Sequence, residues 1–358
     1  MNVPLPDVPE VRVVGLPQLT TGFDLVERLD LAMHLKVHGP LEPVTGERLA
    51  ELAEAISLRG RGGAGFPFGK KLRAVAKASI RRGVRPVVVI NGSEGEPACR
   101  KDTVLLNRAP HLILDGALLA AEALGARTLV VAVTRNSTEV SVRAALAERG
   151  LSDRRGQQLR ARVVRTPRAH GLRRGVLGDP GGQRRPRTPP GPARAGCGDR
   201  GRRRPDPAVE RGDVRPARRG RPDRPRRYGH TGLPSEPGTV LLTVSGDVAR
   251  PMVIEVPTGC RCGTCSSWPG PRRCPGVLTG GYHGNWIDAA ACHNAVISRE
   301  SLAVGGALGA GAILPIGPET CPLGESLRIA NWLAAETAGQ CGPCKLGLPP
   351  RRAGSPTY

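Results

Sequence analysis

A glycine-rich stretch in the first quarter of the chain gives the first indication of the fold: Gly60-Arg61-Gly62-Gly63-Ala64-Gly65-Phe66-Pro67-Phe68-Gly69-Lys70-Lys71. Because glycine has no side chain, such a loop can bring several backbone N–H groups close to a phosphate or a flat ring. Arg61 and Lys71 can supply the counter-charge. The spacing of Gly60, Gly62 and Gly65 also fits the dinucleotide fingerprint, but that fingerprint follows a strand, whereas this loop follows a helical pattern. The stretch therefore predicts a ligand-binding loop or, alternatively, a tight structural turn.

The residues after the loop alternate between strand and helix patterns. Pro86 to Ile90 is a short β-branched run that predicts a buried strand, and Thr128 to Val133 predicts a second one. Between them, His111 to Ala126 has the pattern of an amphipathic helix. Strand, helix and strand in this order predict a right-handed crossover and a parallel sheet, and hence an α/β fold.

A polar loop follows the first of these strands: Asn91-Gly92-Ser93-Glu94-Gly95-Glu96-Pro97. Open α/β sheets bind their ligands at the carboxyl ends of the strands. The side chains of Asn91, Ser93, Glu94 and Glu96 are therefore candidates for binding hydroxyl or amide groups of a ligand. A solvated turn is the alternative.

Composition sets the class of the protein. The chain has 358 residues, ten cysteines and a net charge of +22. It contains no apolar run of 18 residues and no basic, apolar leader, so we expect a cytoplasmic protein. Cysteines in such a protein favour metal or redox chemistry over disulfides.

The charge is concentrated in one segment. Residues 151–230 contain 24 arginines and seven acidic residues, so they carry +17 of the total. One interpretation is a basic arm that binds nucleic acid, although the segment has a single aromatic residue, Tyr228, for stacking on bases. The other interpretation is a GC-rich coding region translated out of frame over about 165–230.

The two loops together resemble a known family. The glycine loop, the loop 91–97, and then Asp102 and Pro110-His111 are similar to the NADH-binding flavoprotein subunit of respiratory complex I and to related hydrogenase and formate dehydrogenase subunits. In that family the two loops hold FMN and stack NADH over it. The resemblance thus implies cofactor binding by the following residues: Gly60, Arg61, Gly62, Gly63, Ala64, Gly65, Phe66, Lys71, Asn91, Ser93, Glu94 and Glu96. Ser93 stands where the family usually has Asp.

The same resemblance implies a domain organisation. An FMN- and NADH-binding α/β domain is expected over 1–164, an Arg/Pro-rich region that is disordered or out of frame over 165–230, a small β-grasp domain over 231–290, a return to the α/β domain over 291–320, and the start of an iron–sulfur helical bundle over 321–358. Gly238 to Gly259 has the pattern of two strands around a turn, and this stretch and Val277 to Gly284 carry the resemblance in the β-grasp region. Leu308 to Ile316 resembles the returning strand.

Six of the ten cysteines fall in two groups. Cys341 and Cys344 resemble two of the four thiolate ligands of a [4Fe–4S] cluster, while Ala338 stands at the first ligand position and the fourth lies beyond the chain. The crowded cysteines between Cys260 and Cys274 have metal-site spacing, but a permitted coding read in another frame gives an amphipathic helix. We therefore do not expect them to be ligands.

The function implied by the resemblance is NADH oxidation, with hydride passing to FMN and single electrons passing on to the cluster. The chemistry belongs to the cofactors, and no side chain is expected to be catalytic. The implied partners are NADH and other subunits of a complex I-like or hydrogenase assembly, which would place the chain on the cytoplasmic face of a membrane only through those subunits. As written, the chain is expected to be impaired. The alternatives are a basic nucleic-acid-binding protein and a cofactor-free pseudo-subunit.

Overall fold

A computed structural model describes residues 8–60, 65–154, 157–166, 230–265, 274–302 and 308–336. In these residues the elements are, in order, β1 Glu10–Val13, α1 Leu31–His38, α2 Gly46–Ala55, α3 Phe68–Arg82, β2 Val88–Gly92, α4 Lys101–Arg108, α5 Pro110–Leu124, β3 Thr128–Val133, α6 Asn136–Glu148, β4 Arg160–Arg165, β5 Gly232–Leu233, β6 Glu236–Pro237, β7 Thr239–Val244, β8 Met252–Pro257, β9 Gly276–Thr279, β10 Asn285–Asp288, α7 Ala289–Asn294, α8 Arg299–Leu302, β11 Ala312–Ile316 and α9 Pro322–Ala335.

The first sheet is parallel and has the order β2-β3-β4. Val88 pairs with Leu129 and Val133 pairs with Arg165, so the three strands end together at one edge. Helices α2, α3, α5 and α6 contribute buried aliphatic side chains to the core that this sheet shares. The predicted parallel sheet and α/β class are confirmed.

Strand β4 was not predicted from the sequence. Its residues combine three exposed arginines, Arg160, Arg162 and Arg165, with the buried Ala161 and the half-buried Val163 and Val164. The arginine-rich composition of the segment conceals these few apolar side chains, and exposed charge is typical of a strand at the edge of a sheet.

The second sheet has six strands in the order β1-β8-β7-β11-β9-β10. Strands β7 and β8 form the antiparallel pair predicted between Gly238 and Gly259. Strand β11 lies in the segment expected to return to the α/β domain, and it pairs with β7 and β9 of this sheet. A short apolar run predicts a buried strand without specifying which sheet receives it. The β-grasp assignment, the domain boundaries and the C-terminal helical bundle stay predictions, and residues 167–229 and 337–358 lie outside the described residues.

A buried carboxylate attaches the N-terminal segment to the second sheet. Glu255 of β8 is fully buried and accepts hydrogen bonds from the backbone N–H groups of Gln18, Leu19 and Thr20 at 2.8–2.9 Å. The hydroxyl groups of Thr20 and Thr239 donate at 2.6 and 2.5 Å. Five donors thus replace the water that this charge loses on burial.

Charged and imidazole side chains form a buried network between α1, α5 and α6. His34 Nε2 lies 2.8 Å from Asp115 Oδ2, and Arg149 donates to both Asp115 and His111 Nδ1, at 2.5 and 2.9 Å. Since Nδ1 of His111 accepts from Arg149, its Nε2 carries the proton and donates to Glu148 at 2.7 Å. Burial, and secondarily the nearby Arg149 charge, lowers the pKa of His111 to about 4 despite the hydrogen bond with Glu148.

Within the described part of the chain, no single helix is long and apolar enough to cross a membrane. Helices α4 and α5 taken together pass that criterion by length and composition, but they are bent by 92° relative to one another.

The pKa of His111 predicts how stability depends on pH. In the unfolded chain His111 becomes protonated as the pH falls below its ordinary pKa of 6.5, whereas in the folded chain it becomes protonated only near pH 4. The folded state should therefore lose about 3 kcal/mol as the pH falls through this interval, at about 1.4 kcal/mol per pKa unit. Urea unfolding at a series of pH values measures this loss.

His111→Gln removes the titrating imidazole. The free energy of unfolding of this variant should therefore change less between pH 6.5 and 4 than that of the parent chain. His230 is an exposed histidine and provides the matched control, His230→Gln. The prediction would be contradicted if the free energy of unfolding depended on pH equally in the parent chain and in His111→Gln.

Candidate functional site

The glycine loop connects two helices, α2 and α3. Gly60 donates its N–H to the Phe66 carbonyl at 2.9 Å, and Phe68 donates to the Leu58 carbonyl at 2.9 Å, so backbone bonds close the base of the loop. Phe66 is 55% exposed, and Lys71 is half-buried in the first turn of α3. A loop between helices does not have the strand–turn–helix context of a dinucleotide fingerprint. The remaining predicted residues of the loop, Arg61, Gly62, Gly63 and Ala64, lie outside the described residues.

The carboxyl ends of the parallel strands bring hydroxyl groups together. Asn91 Oδ1 accepts from the Ser93 N–H at 3.1 Å, which holds the chain in a turn directly after β2. The hydroxyls of Ser93 and Thr166 lie 2.8 Å apart, although Thr166 follows β4, two strands away. Thr166 also donates its N–H to the Val133 carbonyl at the end of β3, at 2.8 Å. All three strand ends thus meet at this polar edge.

Glu94 is committed to the N-terminus of α4. Its carboxylate accepts from the backbone N–H of Asp102 at 2.9 Å and from the N–H and hydroxyl of Thr103 at 3.1 and 2.6 Å. The side chain is 7% exposed. A carboxylate at this position satisfies free N–H groups of the first turn and the positive end of the helix dipole. Glu94 was predicted to bind flavin, and the structure gives it this structural role.

Glu96 connects the same loop to the second sheet. Its Oε1 accepts from the Tyr282 N–H at 2.9 Å, in the turn between β9 and β10. Gly281 has φ +87°, and a Cβ there would lie 2.9 Å from the Glu96 carboxyl carbon, so the carboxylate occupies the space that a larger residue would need. The Tyr282 hydroxyl accepts from Arg328 Nη1 of α9 at 3.0 Å. The loop 91–97 is therefore in contact, through Tyr282, with α9.

Arg299 joins the glycine loop to β6, which pairs with β5 in a separate two-stranded sheet. Its Nη2 donates to the Gly60 carbonyl, and its backbone N–H lies 3.1 and 3.2 Å from the two carboxylate oxygens of Glu236. Arg299 and Glu236 were not predicted from the sequence as site residues, and neither was Thr166. Only Thr166 carried a usable signal, since a polar residue that directly follows a strand is a candidate for the ligand edge.

The described cysteines pack in the interior or lie at a helix end. Cys99 is 1% exposed, and its Sγ lies 3.5 Å from the Ala310 carbonyl. Cys262 and Cys292 are buried together, and a hydrogen bond from Cys262 lowers the pKa of Cys292. Cys321 is exposed at the N-terminus of α9. Among the described residues no three His, Cys, Asp or Glu side chains are arranged to hold a metal ion, and Cys341 and Cys344 lie outside them.

The described residues fit a flavin nucleotide by the chemistry of their groups. The hydroxyls of Ser93 and Thr166 offer donors and acceptors for ribityl or phosphate oxygens, and the exposed Phe66 ring offers a face for stacking. The carboxylates of Glu94 and Glu96 differ from these groups, because each already accepts hydrogen bonds from backbone N–H groups of the protein.

Comparison with protein families and curated proteins gives a consistent result. Residues 53–171, which contain both loops, match the Nuo51 FMN-binding domain. The chain is 29% identical over 339 residues to an NADH-quinone oxidoreductase subunit of Rhizobium meliloti, and the match covers 85% of this chain and 75% of the relative. It is 28% identical over 328 residues to the mitochondrial NADH dehydrogenase [ubiquinone] flavoprotein 1 of Dictyostelium discoideum, covering 82% of this chain and 64% of that protein.

A solved structure has a similar fold. The NAD⁺-reducing [NiFe]-hydrogenase in its air-oxidised state contains a chain that superposes with a TM-score of 0.66 at 22% identity. The match covers 95% of this chain but 57% of the hydrogenase chain, so the present chain spans somewhat more than half of that neighbour. The resemblance inferred from the two loops is confirmed.

The hydrogen bonds of Glu94 predict a stability effect. Glu94→Ala leaves two N–H groups and one hydroxyl at the start of α4 without their acceptor, so the free energy of unfolding should fall by about 1–3 kcal/mol. Chemical denaturation measures this change. Glu51→Ala is the matched control, because Glu51 forms an exposed ion pair with Arg48, and its loss should cost at most about 1 kcal/mol. Equal effects of the two substitutions would contradict the role assigned to Glu94.

Proposed function

We propose that this chain, a homologue of the flavoprotein subunits of NADH dehydrogenases and of an NAD-reducing hydrogenase subunit, is an NADH-oxidising flavoprotein subunit of the oxidoreductase class. The observation that carries the proposal is the match of residues 53–171 to the Nuo51 FMN-binding domain, since that range contains both predicted loops. The meeting of three parallel strand ends at Ser93 and Thr166 supports it, because ligands of α/β sheets bind there. The comparisons give no support to the nucleic-acid-binding alternative.

The glycine loop and the loop 91–97 would both contact the bound FMN and NADH. The glycine loop, residues 60–65, would bring backbone N–H groups to the flavin nucleotide, with Arg61 and Lys71 as counter-charges. Asn91 and Ser93 would bind polar groups of the flavin, while Phe66 would stack on NADH. FMN, when bound, supplies the chemistry, accepting a hydride and releasing electrons singly.

Glu94 and Glu96 would act on the ligand mainly through the backbone. Their carboxylates fix the loop 91–97 to α4 and to Tyr282, which sets where the N–H groups of the loop point. Rigid placement of donors lowers the conformational entropy that the loop itself loses when a ligand binds. Contact of Glu96 with the nicotinamide amide or the adenosine stays a prediction.

Electron transfer to a [4Fe–4S] cluster is the less complete part of the proposal. Cys341 and Cys344 would supply two of four thiolates, and the others would have to come from elsewhere. NADH as substrate, the partner subunits of a complex I-like or hydrogenase assembly, and a place on the cytoplasmic face of a membrane through those subunits are likewise proposed from the resemblance.

Phe66 provides a direct test of the stacking role. Phe66→Ala should weaken NADH binding about tenfold, because stacking on an aromatic ring contributes on the order of 1.4 kcal/mol. The exposure of Phe66 means that the free energy of unfolding should change little. Titration of the protein with NADH by calorimetry measures the affinity, and Phe66→Tyr, which keeps the ring, is the control. Unchanged affinity in Phe66→Ala would exclude the stacking role.

The segment of about 165–230 is proposed to be out of frame from a point after Thr166, whose backbone N–H still bonds to the end of β3, and flavin binding as written is expected to be weak. A gene with the frame restored across this segment should yield a protein that retains more FMN and oxidises NADH faster with ferricyanide as acceptor. Both forms are expressed, reconstituted with FMN, iron and sulfide, and compared by visible absorbance and turnover. Equal flavin content and turnover would show that the segment belongs to the functional protein.

A further inference from the structure

One side chain reaches the glycine loop from a distant part of the sequence. The guanidinium of Arg299 donates to the carbonyl of Gly60, which is 239 positions earlier in the chain. At the other end of the loop, Arg59 Nη1 lies 3.4 Å from the Gly65 carbonyl. Two arginines therefore bind backbone carbonyls at the two ends of the glycine-rich segment.

Arg299 is itself fixed in place by Glu236. The backbone N–H of Arg299 lies 3.1 Å from Glu236 Oε2, and its Nε lies 3.7 Å from Glu236 Oε1. The side chain of Glu236 is 6% exposed and that of Arg299 is 20% exposed, so water screens this pair weakly. Glu236 belongs to β6, and its backbone carbonyl accepts from the Thr258 hydroxyl. Arg299 is thus held by Glu236 of β6, and its guanidinium extends from there to the loop.

The end of the loop at Gly65 lies against the guanidinium of Arg299. Gly65 has φ +58°, and a Cβ at this position would collide with the guanidinium of Arg299, whose Cζ would lie 3.1 Å away. Gly65 is therefore required both by its left-handed backbone and by the volume of Arg299. Gly60 and Gly65 contact the same planar cation, which holds the two ends of the loop at a set separation.

We infer that Arg299 is a positioning residue that fixes Gly60 and Gly65, the described ends of the glycine loop, by bridging them to Glu236. The inference rests on the proposed function for the identity of the ligand, but not for the positioning itself. A planar guanidinium can donate in several directions at once, whereas a lysine ammonium is a single point of charge. Because Gly60 and Gly65 are held before a nucleotide binds, less conformational entropy is lost on binding, so Arg299 raises the affinity by holding these two ends.

Amide hydrogen exchange of the free protein tests the positioning. In Arg299→Ala, the peptide 58–68 should exchange about tenfold faster than in the parent chain, while the peptide 127–133 of the buried strand β3 keeps its protection. Arg299→Lys should restore part of the protection and Glu236→Gln should lose part of it. Arg250→Ala is the matched control, since it removes one exposed arginine from the same part of the chain.

Two exchange outcomes would overturn the inference. Equal exchange of the peptide 58–68 in Arg299→Ala and Arg250→Ala would show that Arg299 does not hold the loop. Equal acceleration of both peptides in Arg299→Ala would show that the residue supports the whole fold rather than the loop.

FMN titration, followed by quenching of flavin fluorescence, separates this inference from the proposed function. It uses the frame-restored protein, in which Arg299→Ala should raise the dissociation constant about tenfold and Arg250→Ala should not. Failure of the frame-restored parent to bind FMN would refute the proposed function, and the exchange result would still decide the role of Arg299. Binding by the parent with equal affinity in Arg299→Ala would overturn the inference alone.

Discussion

Buried carboxylates that accept hydrogen bonds from distant backbone groups hold this structure together. Glu255 does so for the segment Gln18 to Thr20, Glu94 for the start of α4, Glu96 for Tyr282, and Glu236 for Arg299. Burying an ionised carboxylate is costly unless hydrogen bonds replace its water, and hydrogen bonds to a charged group stabilise by about 1.5–3 kcal/mol each. Each of these glutamates therefore specifies one arrangement of the chain, since a displaced donor would leave a buried charge unsatisfied.

This constraint explains why loops rather than helices and strands define the candidate site. The loop 91–97 is connected to α4 by one carboxylate and to the turn before β10 by another. The glycine loop is connected to β6 through Arg299 and Glu236. The parallel sheet supplies only the edge at which Ser93 and Thr166 meet. Both loops thus take their positions from contacts outside the parallel sheet as well as from the sheet itself.

The regular elements were largely predictable because their residues carry local signals. Thr45 accepts from the Arg48 N–H at the start of α2, and Gly125 ends α5 in the left-handed conformation, as residues of these types do at helix ends. The β-branched runs of β2 and β3 gave the parallel pair directly. Strand β4 was missed because its arginines resemble the composition of the segment that follows. The sheet that β11 joins could not be predicted, because strand order depends on contacts between residues far apart in sequence, which no local pattern records.

The candidate site could be predicted only as a set of residue types. Asn91 and Ser93 lie at the strand ends as the pattern required, and Phe66 is exposed. The pattern could not show that Glu94 and Glu96 direct their carboxylates to the backbone, since a glutamate that caps a helix and one that binds a ligand have the same local sequence. Arg299 and Glu236 were equally invisible, because neither lies in a motif and the loop that they hold is more than 170 residues away.

Strand β4 has a consequence for how this protein behaves among other copies of itself. It ends the three-stranded sheet, so among the described strands none pairs with its outer side. An edge of this kind is a template for pairing with another chain, and natural sheets protect such edges with charge. Arg160, Arg162 and Arg165 place three cations along six residues of that edge. Two copies that approached through β4 would bring six positive charges together, so this edge repels self-association and keeps concentrated protein from forming aggregates through it.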